Sequence, residues 1–171
     1  NHMFDGCTNL KYLNLTKTNT EKVNNMEFMF NECFYLEELY LTSFKTQNVT
    51  KMNNMFSSCS QLKILDISAF NTKNVENMQN MFSSCVNLIE ILFSRSFNNK
   101  NIINMNSMFS DCSCIEYLDL SSFNVQKVEN ITAMFFRCSD LKEIKLGYIN
   151  TKKVKDMNFL FAFCHKLENI I

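Results

Sequence analysis

The chain has 171 residues, 46% of them hydrophobic, and its 17 Lys and Arg balance its 17 Asp and Glu. This composition supports a substantial buried core and excludes an intrinsically disordered chain. A net charge of zero gives no basic footprint, so nucleic acid is not an expected partner. No apolar run approaches the roughly 18 to 20 residues that cross a bilayer, so we do not expect direct membrane insertion.

A motif of the form Met-Phe-x-x-Cys recurs along the whole chain. Its cysteines are spaced by 26, 26, 26, 27, 26 and 26 residues, and they are Cys7, Cys33, Cys59, Cys85, Cys112, Cys138 and Cys164. A fixed period of this size predicts a solenoid of stacked repeats. With two glycines and no proline, the chain offers no candidate linker. We therefore expect residues 1–171 to form one domain of about six and a half repeats, as a segment of a longer protein.

The first half of each repeat predicts a short strand. After Cys59, leucine-type residues follow at Leu62, Leu65 and Ile67. The last two alternate with one residue between them, so their side chains share one face of a strand and the residue between points outward. Phe70 then supplies an apolar plug where the strand ends.

The second half of each repeat changes period and predicts a short helix. Val49, Met52, Met55, Phe56 and Cys59 are separated by 3, 3, 1 and 3 residues, which places them on one helical face. The extra residue of the 27-residue repeat lies within 94–96, between Phe93 and Phe97. We expect it to form a bulge at the exit of that strand.

The run from Cys59 to Phe82 closely resembles the BspA-like leucine-rich repeats of bacterial surface proteins. The resemblance covers essentially the whole chain. It implies an α/β solenoid of right-handed sense, with a parallel strand ladder on the concave face and short helices on the convex face. It also implies a surface or secreted protein that binds host proteins in adhesion. Residues 1–20 show no export signal, so a structural repeat segment of a larger intracellular assembly is the alternative.

The cysteines and histidines do not predict a catalytic or metal site. Seven cysteines share one inward position with Met and Phe, which favours buried thiols that pack as small apolar groups. Disulfides require Cα atoms about 4.4 to 6.8 Å apart, and convex helices usually lie farther apart than that. Cys112 and Cys114 are the only close pair, which argues against zinc. The two histidines, His2 and His165, lie at opposite ends of the chain. We therefore predict a protein without enzymatic activity or a cofactor.

The outward residues beside the strand leucines are the candidate binding surface, because curved solenoids usually bind through this face. Tyrosine is enriched at binding hot spots, and here tyrosines and aliphatic residues lie among acids. The predicted protein-binding residues are Tyr12, Glu37, Tyr40, Ile64, Asp66, Ile89, Glu90, Leu92, Tyr117 and Asp119. The alternative is a solvated sheet face with scattered apolar residues.

The two ends of the chain carry no polar capping repeat, which solenoids normally require for solubility. Residues 159–163, Phe-Leu-Phe-Ala-Phe, add apolar positions beyond the usual inward set. We expect further repeats to cover these ends, or neighbouring subunits to make end-to-end contacts with them.

Overall fold

The computed structural model describes residues 2–94, 97 and 99–171 of the chain. Seven strands occur in this part: β1 (Tyr12–Asn14), β2 (Glu38–Tyr40), β3 (Ile64–Ile67), β4 (Glu90–Phe93), β5 (Tyr117–Val125), β6 (Glu143–Ile149) and β7 (Asn169–Ile170). All pairings between these strands are parallel, and they join residues 26 positions apart, as in Tyr12 with Glu38, except after a bulge in β5. Each repeat is thus one turn, and the chain is a parallel-strand β-solenoid of about six turns.

The strands show the predicted alternation between core and solvent. In β3, Leu65 and Ile67 are fully buried, whereas 57% of the surface of Ile64 is exposed. The predicted plugs after the strands, Phe44, Phe70 and Phe123, are also buried. The period of two therefore identifies both faces of the strands correctly.

The predicted helices in the second half of each repeat are wrong. The one helical segment among the described residues is a 3-10 turn, Thr151–Lys153. The Met-Phe-x-x-Cys segments instead donate every second backbone N–H to the next turn, which keeps these groups from forming helical bonds. Their bonds run from residues 52, 54, 56 and 58 to the carbonyls of residues 77, 79, 81 and 83, with lengths of 3.0, 2.9, 2.9 and 2.7 Å.

Two tight turns in each repeat produce the spacing that suggested a helix. The N–H of Met55 donates to the carbonyl of Met52, and the N–H of Cys59 donates to the carbonyl of Phe56. The third residue of each turn, Asn54 or Ser58, has a positive φ of 57° or 62°, as a type II turn requires. Two successive turns bury the residues at intervals of 3, 1 and 3, so Met52, Met55, Phe56 and Cys59 all face the core as predicted.

These left-handed positions lead to a stability prediction. Ala133 has a φ of 52°, a conformation that costs a non-glycine residue about 1 to 2 kcal/mol. We expect Ala133→Gly to raise the free energy of unfolding by about 0.5 to 1 kcal/mol, after subtracting the greater freedom of glycine in the unfolded chain. Urea denaturation measures the change.

The matched control is the exposed Ala69, which does not have a positive φ. Ala69→Gly should destabilise the fold, because only the entropic cost of glycine remains. If both substitutions changed stability by the same amount, the left-handed turn would not be the cause.

A column of stacked phenylalanines runs through the core, one from each turn. Neighbouring ring centroids lie 5.1 to 5.8 Å apart, and the ring planes are within 19° of parallel. The column consists of Phe4, Phe30, Phe56, Phe82, Phe109, Phe135 and Phe161. Since each ring contacts the turn before it and the turn after it, the column joins neighbouring repeats directly.

The strand register is interrupted at β5. Leu120 pairs with Leu146, and Asn124 pairs with Tyr148, so three residues of β5 lie opposite the single Gly147 of β6. The bulge expected at 94–96 falls partly on Arg95 and Ser96, which lie outside the described residues.

Candidate functional site

The residues that lie four, five and seven positions after each column cysteine from Cys7 to Cys138 form one surface, here called the strand face. It consists of three parallel columns of side chains that lie beside the buried leucines. Nine of the ten predicted binding residues are exposed on it, and Asp66 is half-buried. Among its apolar and aromatic members, the most exposed are Tyr117 at 63%, Ile64 at 57% and Ile89 at 55%. The structure therefore brings the predicted residues onto one surface, and their role in binding stays a prediction.

At the N-terminal part of the strand face, two tyrosines and a glutamate are linked. The rings of Tyr12 and Tyr40 lie 5.7 Å apart with a tilt of 52°. The Tyr40 hydroxyl donates to Oε2 of Glu38 at 2.9 Å. This hydrogen bond and the charge of Glu38 raise the pKa of Tyr40, so the tyrosine is held as a neutral donor.

At the C-terminal part, lysines neutralise some of the acids. Lys142 Nζ lies 2.6 Å from Oε2 of Glu116 and 5.9 Å from the centre of the Tyr117 ring. The hydrogen bond to Glu116 raises the pKa of Lys142. Hydrogen bonds from Ser121 lower the pKa of Asp119. This part of the surface is therefore charged at neutral pH, with one lysine over an aromatic ring.

The strand ladder is open at two places on this surface. Hydrogen-bonded pairing joins β1 to β2, β3 to β4, and β5 to β6 and β7, but it does not join β2 to β3 or β4 to β5. A groove of about 340 Å³ lies at the first opening, lined by Glu38, Tyr40 and Ile64 among others. A second groove of about 310 Å³ lies at the other opening, lined by Ile89, Glu90, Glu116 and Tyr117.

The prediction from sequence omitted Glu38 and Lys142, which contact Tyr40 and Tyr117, and Glu116, which pairs with Lys142. These residues were available in the sequence, because they occupy the same repeat positions as the chosen ones. Comparing residues at the same distance from each repeat cysteine places Glu38 in one column with Tyr12 and Ile64. A selection by residue type alone, which favours tyrosines and aliphatic residues, leaves Glu38 out.

The cysteine column is structural. Each thiol from Cys33 onward in the column donates to the carbonyl of the phenylalanine in the turn before it, at 3.0 to 3.2 Å. All eight cysteines of the chain are free thiols. The expectation that neighbouring cysteines lie far apart assumed that convex helices carry them. That assumption is wrong, because stacked backbones rather than helices carry the cysteines. Burial raises the pKa of Cys33 to about 11 and that of Cys85 to about 12.

Thiol labelling should therefore divide the cysteines into two groups. At pH 8 we expect an aromatic disulfide reagent to react with the three half-buried thiols, Cys7, Cys114 and Cys164, in the folded protein. The five buried thiols should react only in denaturant, because they are both inaccessible and protonated. Rapid reaction of all eight in the native protein would contradict this arrangement of the core.

The two histidines do not form a catalytic cluster in the described structure. His2 stacks on Phe28 at 4.7 Å and its Nδ1 lies 2.7 Å from Oδ2 of Asp5. His165 lies against the edge of Phe163 at 6.1 Å. The described residues include no group of three or more His, Cys, Asp or Glu that could hold a metal ion. None of the helices found among them is long and apolar enough to pass through a membrane.

A family model described as "Mycoplasma protein of unknown function, DUF285" matches residues 1–111 and again residues 89–171. The chain belongs to this family. The two matches together span every turn of the solenoid, so the strand face of this DUF285 chain lies wholly within the residues that the family model matches. A comparison with curated proteins gives no match.

Two solved structures are similar to this DUF285 chain. A leucine-rich repeat protein from Bacteroides ovatus ATCC 8483 is 16% identical with a TM-score of 0.36, over 97% of this chain and 61% of that one. A leucine-rich cell surface protein from Faecalibacterium prausnitzii A2-165 is 14% identical with a TM-score of 0.23, over 98% of this chain and 74% of that one. Both are leucine-rich proteins, the class that the sequence motif resembles. The chain spans 61% of the length of the first.

Proposed function

We propose that the chain, as a single solenoid domain, is a non-catalytic protein-binding module that contacts its partner through the strand face. The observation that carries this proposal is the exposure of Tyr40, Ile64 and Tyr117 on the strand face, each on a strand that is hydrogen-bonded to a neighbour. Large apolar and aromatic side chains that lie together on a rigid surface are typical of interaction sites. Ordered strands also reduce the entropy that is lost on binding.

We further propose that this binding serves adhesion at the cell surface. The support is the resemblance of the repeat motif to bacterial surface proteins. Protease treatment of intact source cells, followed by mass spectrometry, tests the location. Peptides of this chain released without lysis are the expected result. Peptides obtained only after lysis would overturn the adhesion proposal.

A structural role in a larger assembly is the second candidate function. It is favoured by the apolar side chains exposed on the last described turn, where Phe159, Ile170 and Ile171 are 64%, 53% and 66% exposed. Further repeats or neighbouring subunits would cover these residues. Sedimentation at high concentration tests the end-to-end version, because a soluble monomer would contradict it.

A further inference from the structure

One column of the strand face alternates regularly between apolar and acidic residues. Its members lie five residues after each repeat cysteine, and pairing places Tyr12 beside Glu38, Ile64 beside Glu90 and Tyr117 beside Glu143. In order along the solenoid, this central row consists of Tyr12, Glu38, Ile64, Glu90, Tyr117 and Glu143. A glutamate therefore occurs on every second turn, with an aromatic or aliphatic side chain between.

The solenoid fixes the spacing of the central row. The turns that carry β2 and β3, and those that carry β4 and β5, are joined by backbone hydrogen bonds outside the strands, from Phe30 to Met55 and from Phe82 to Met108, both 2.9 Å long. Hydrogen-bonded backbones lie about 4.8 Å apart, so a rise of about 4.8 Å per turn separates successive glutamates of the row by about 9.6 Å. A ligand that follows the row would meet one negative charge and one apolar contact in each interval of this length.

The charge around the central row is negative, although the whole chain is neutral. The three columns of β1 to β6 hold seven carboxylates and four lysines. Two of these lysines lie near acids of the face, since Lys142 pairs with Glu116 and Lys145 lies 4.0 Å from Glu143. The other two, Lys11 and Lys63, flank Glu37 in the neighbouring column. Within the described part of the chain, neither Glu38 nor Glu90 forms an ion pair.

Both unpaired glutamates of the row stand beside an opening in the strand ladder. Glu38 and Ile64 line the groove of about 340 Å³, and Glu90 and Tyr117 line the groove of about 310 Å³. Lys63 also lines the first groove, but the carboxylates Glu37, Glu38 and Asp66 outnumber it there. Each groove thus combines a net negative charge with an apolar neighbour, which suits the aliphatic stem and charged end of a lysine or arginine. The grooves lie two turns apart, the same interval that separates the two glutamates.

We propose that the central row binds an extended protein segment with a polyproline II conformation and a basic residue at every third position. This conformation has three residues per turn and a rise of about 3.1 Å per residue, so its basic residues repeat every 9.3 Å or so. That distance matches the spacing of the glutamates. Such a segment has no internal hydrogen bonds to lose, and the residues between its basic positions would pack on Tyr12, Ile64 and Tyr117. The inference rests on the proposed protein-binding function and names the chemistry of its partner.

Fluorescence anisotropy at low salt, with a labelled peptide of Lys-Ala-Pro repeated five times, tests the inference. We expect it to bind the chain, and binding to weaken with added salt, because the charges are exposed. A peptide of the same composition with its five lysines in one block should bind about fivefold less tightly. The block spans only about 12 Å and can reach two of the three glutamates of the row, whereas the repeated peptide can reach all three. Equal binding of the two peptides would overturn the inference in favour of unspecific electrostatic attraction.

The double variant Glu38→Gln/Glu90→Gln should bind the repeated peptide about tenfold less tightly, because two exposed ion pairs of up to about 1 kcal/mol each are lost. Its control is Glu21→Gln/Glu76→Gln, which removes the same charge from exposed glutamates outside the strand face. The control should bind within about twofold of the parent chain. Unchanged binding by the row variant, or no binding of the repeated peptide to the parent chain, would overturn the inference. The proposed protein-binding function is tested separately, by substitution of the apolar residues of the strand face.

Discussion

Replacing Phe82 with alanine is expected to lower the free energy of unfolding by about 3 to 5 kcal/mol. Phe82 is fully buried near the middle of the phenylalanine column, and its ring stacks on Phe56 at 5.8 Å and on Phe109 at 5.3 Å. The substitution removes contacts to the turns on both sides and leaves a cavity between repeats. Because each turn is stabilised by its neighbours, this loss weakens the joint between the two halves of the solenoid.

Urea denaturation of the Phe82→Ala variant measures this loss. The matched control is Phe34→Ala, since Phe34 lies outside the column and 37% of its surface is exposed. The control should cost clearly less, about 1 to 2 kcal/mol, because the ring is partly exposed and its removal leaves no enclosed cavity. Similar losses for both variants would show that the stacked column does not hold the turns together.

Gly147→Ala is expected to cost about 3 kcal/mol or more, because the added methyl group has no space. A Cβ at this position would lie 2.1 Å from the carbonyl oxygen of Phe123 and 2.5 Å from that of Leu120. Both oxygens belong to the backbone of the β5 bulge, which cannot move without breaking the pairing to β6. We expect a lower urea midpoint and faster hydrogen exchange in both strands.

The other glycine provides the comparison for this substitution. Gly6 has a φ of 69°, but a Cβ there would meet nothing within 4 Å. Gly6→Ala should therefore cost only about 0.5 to 1 kcal/mol, the left-handed strain less the conformational entropy that alanine saves in the unfolded chain. If Gly6→Ala were the more damaging change, close approach of the β5 bulge would not explain Gly147.

The strands could be predicted from the sequence because their pattern has one physical origin. Leu65 and Ile67 alternate with outward residues, and only an extended chain produces that alternation in a half-buried segment. The strand face followed directly, since Ile64 and Asp66 must then point away from the core.

The helices were predicted wrongly because two tight turns bury the same positions as one helical face. Met52, Met55, Phe56 and Cys59 have the same spacing in either arrangement. The signal that separates the two lies in the polar positions, where Asn54, Ser58 and Gly6 are residues that favour turns. The two grooves could not be predicted, because they arise where pairing stops between strands whose sequences still carry the repeat.

A triple substitution of Tyr40, Ile64 and Tyr117 with serine tests whether these residues form the contact surface for a protein partner. The probe is binding of the fluorescently labelled chain to intact cultured epithelial cells, with and without prior trypsin treatment of the cells. The control variant carries serine at Tyr35, Ile103 and Tyr148, which are comparably exposed outside the three columns of the strand face.

We expect the parent chain and the control variant to bind, and we expect trypsin treatment of the cells to abolish this binding. The strand-face variant should remain folded and bind more than about tenfold less tightly, since the loss of a single hot-spot residue can cost about 2 kcal/mol. Binding of the strand-face variant at the level of the parent chain would contradict the claim.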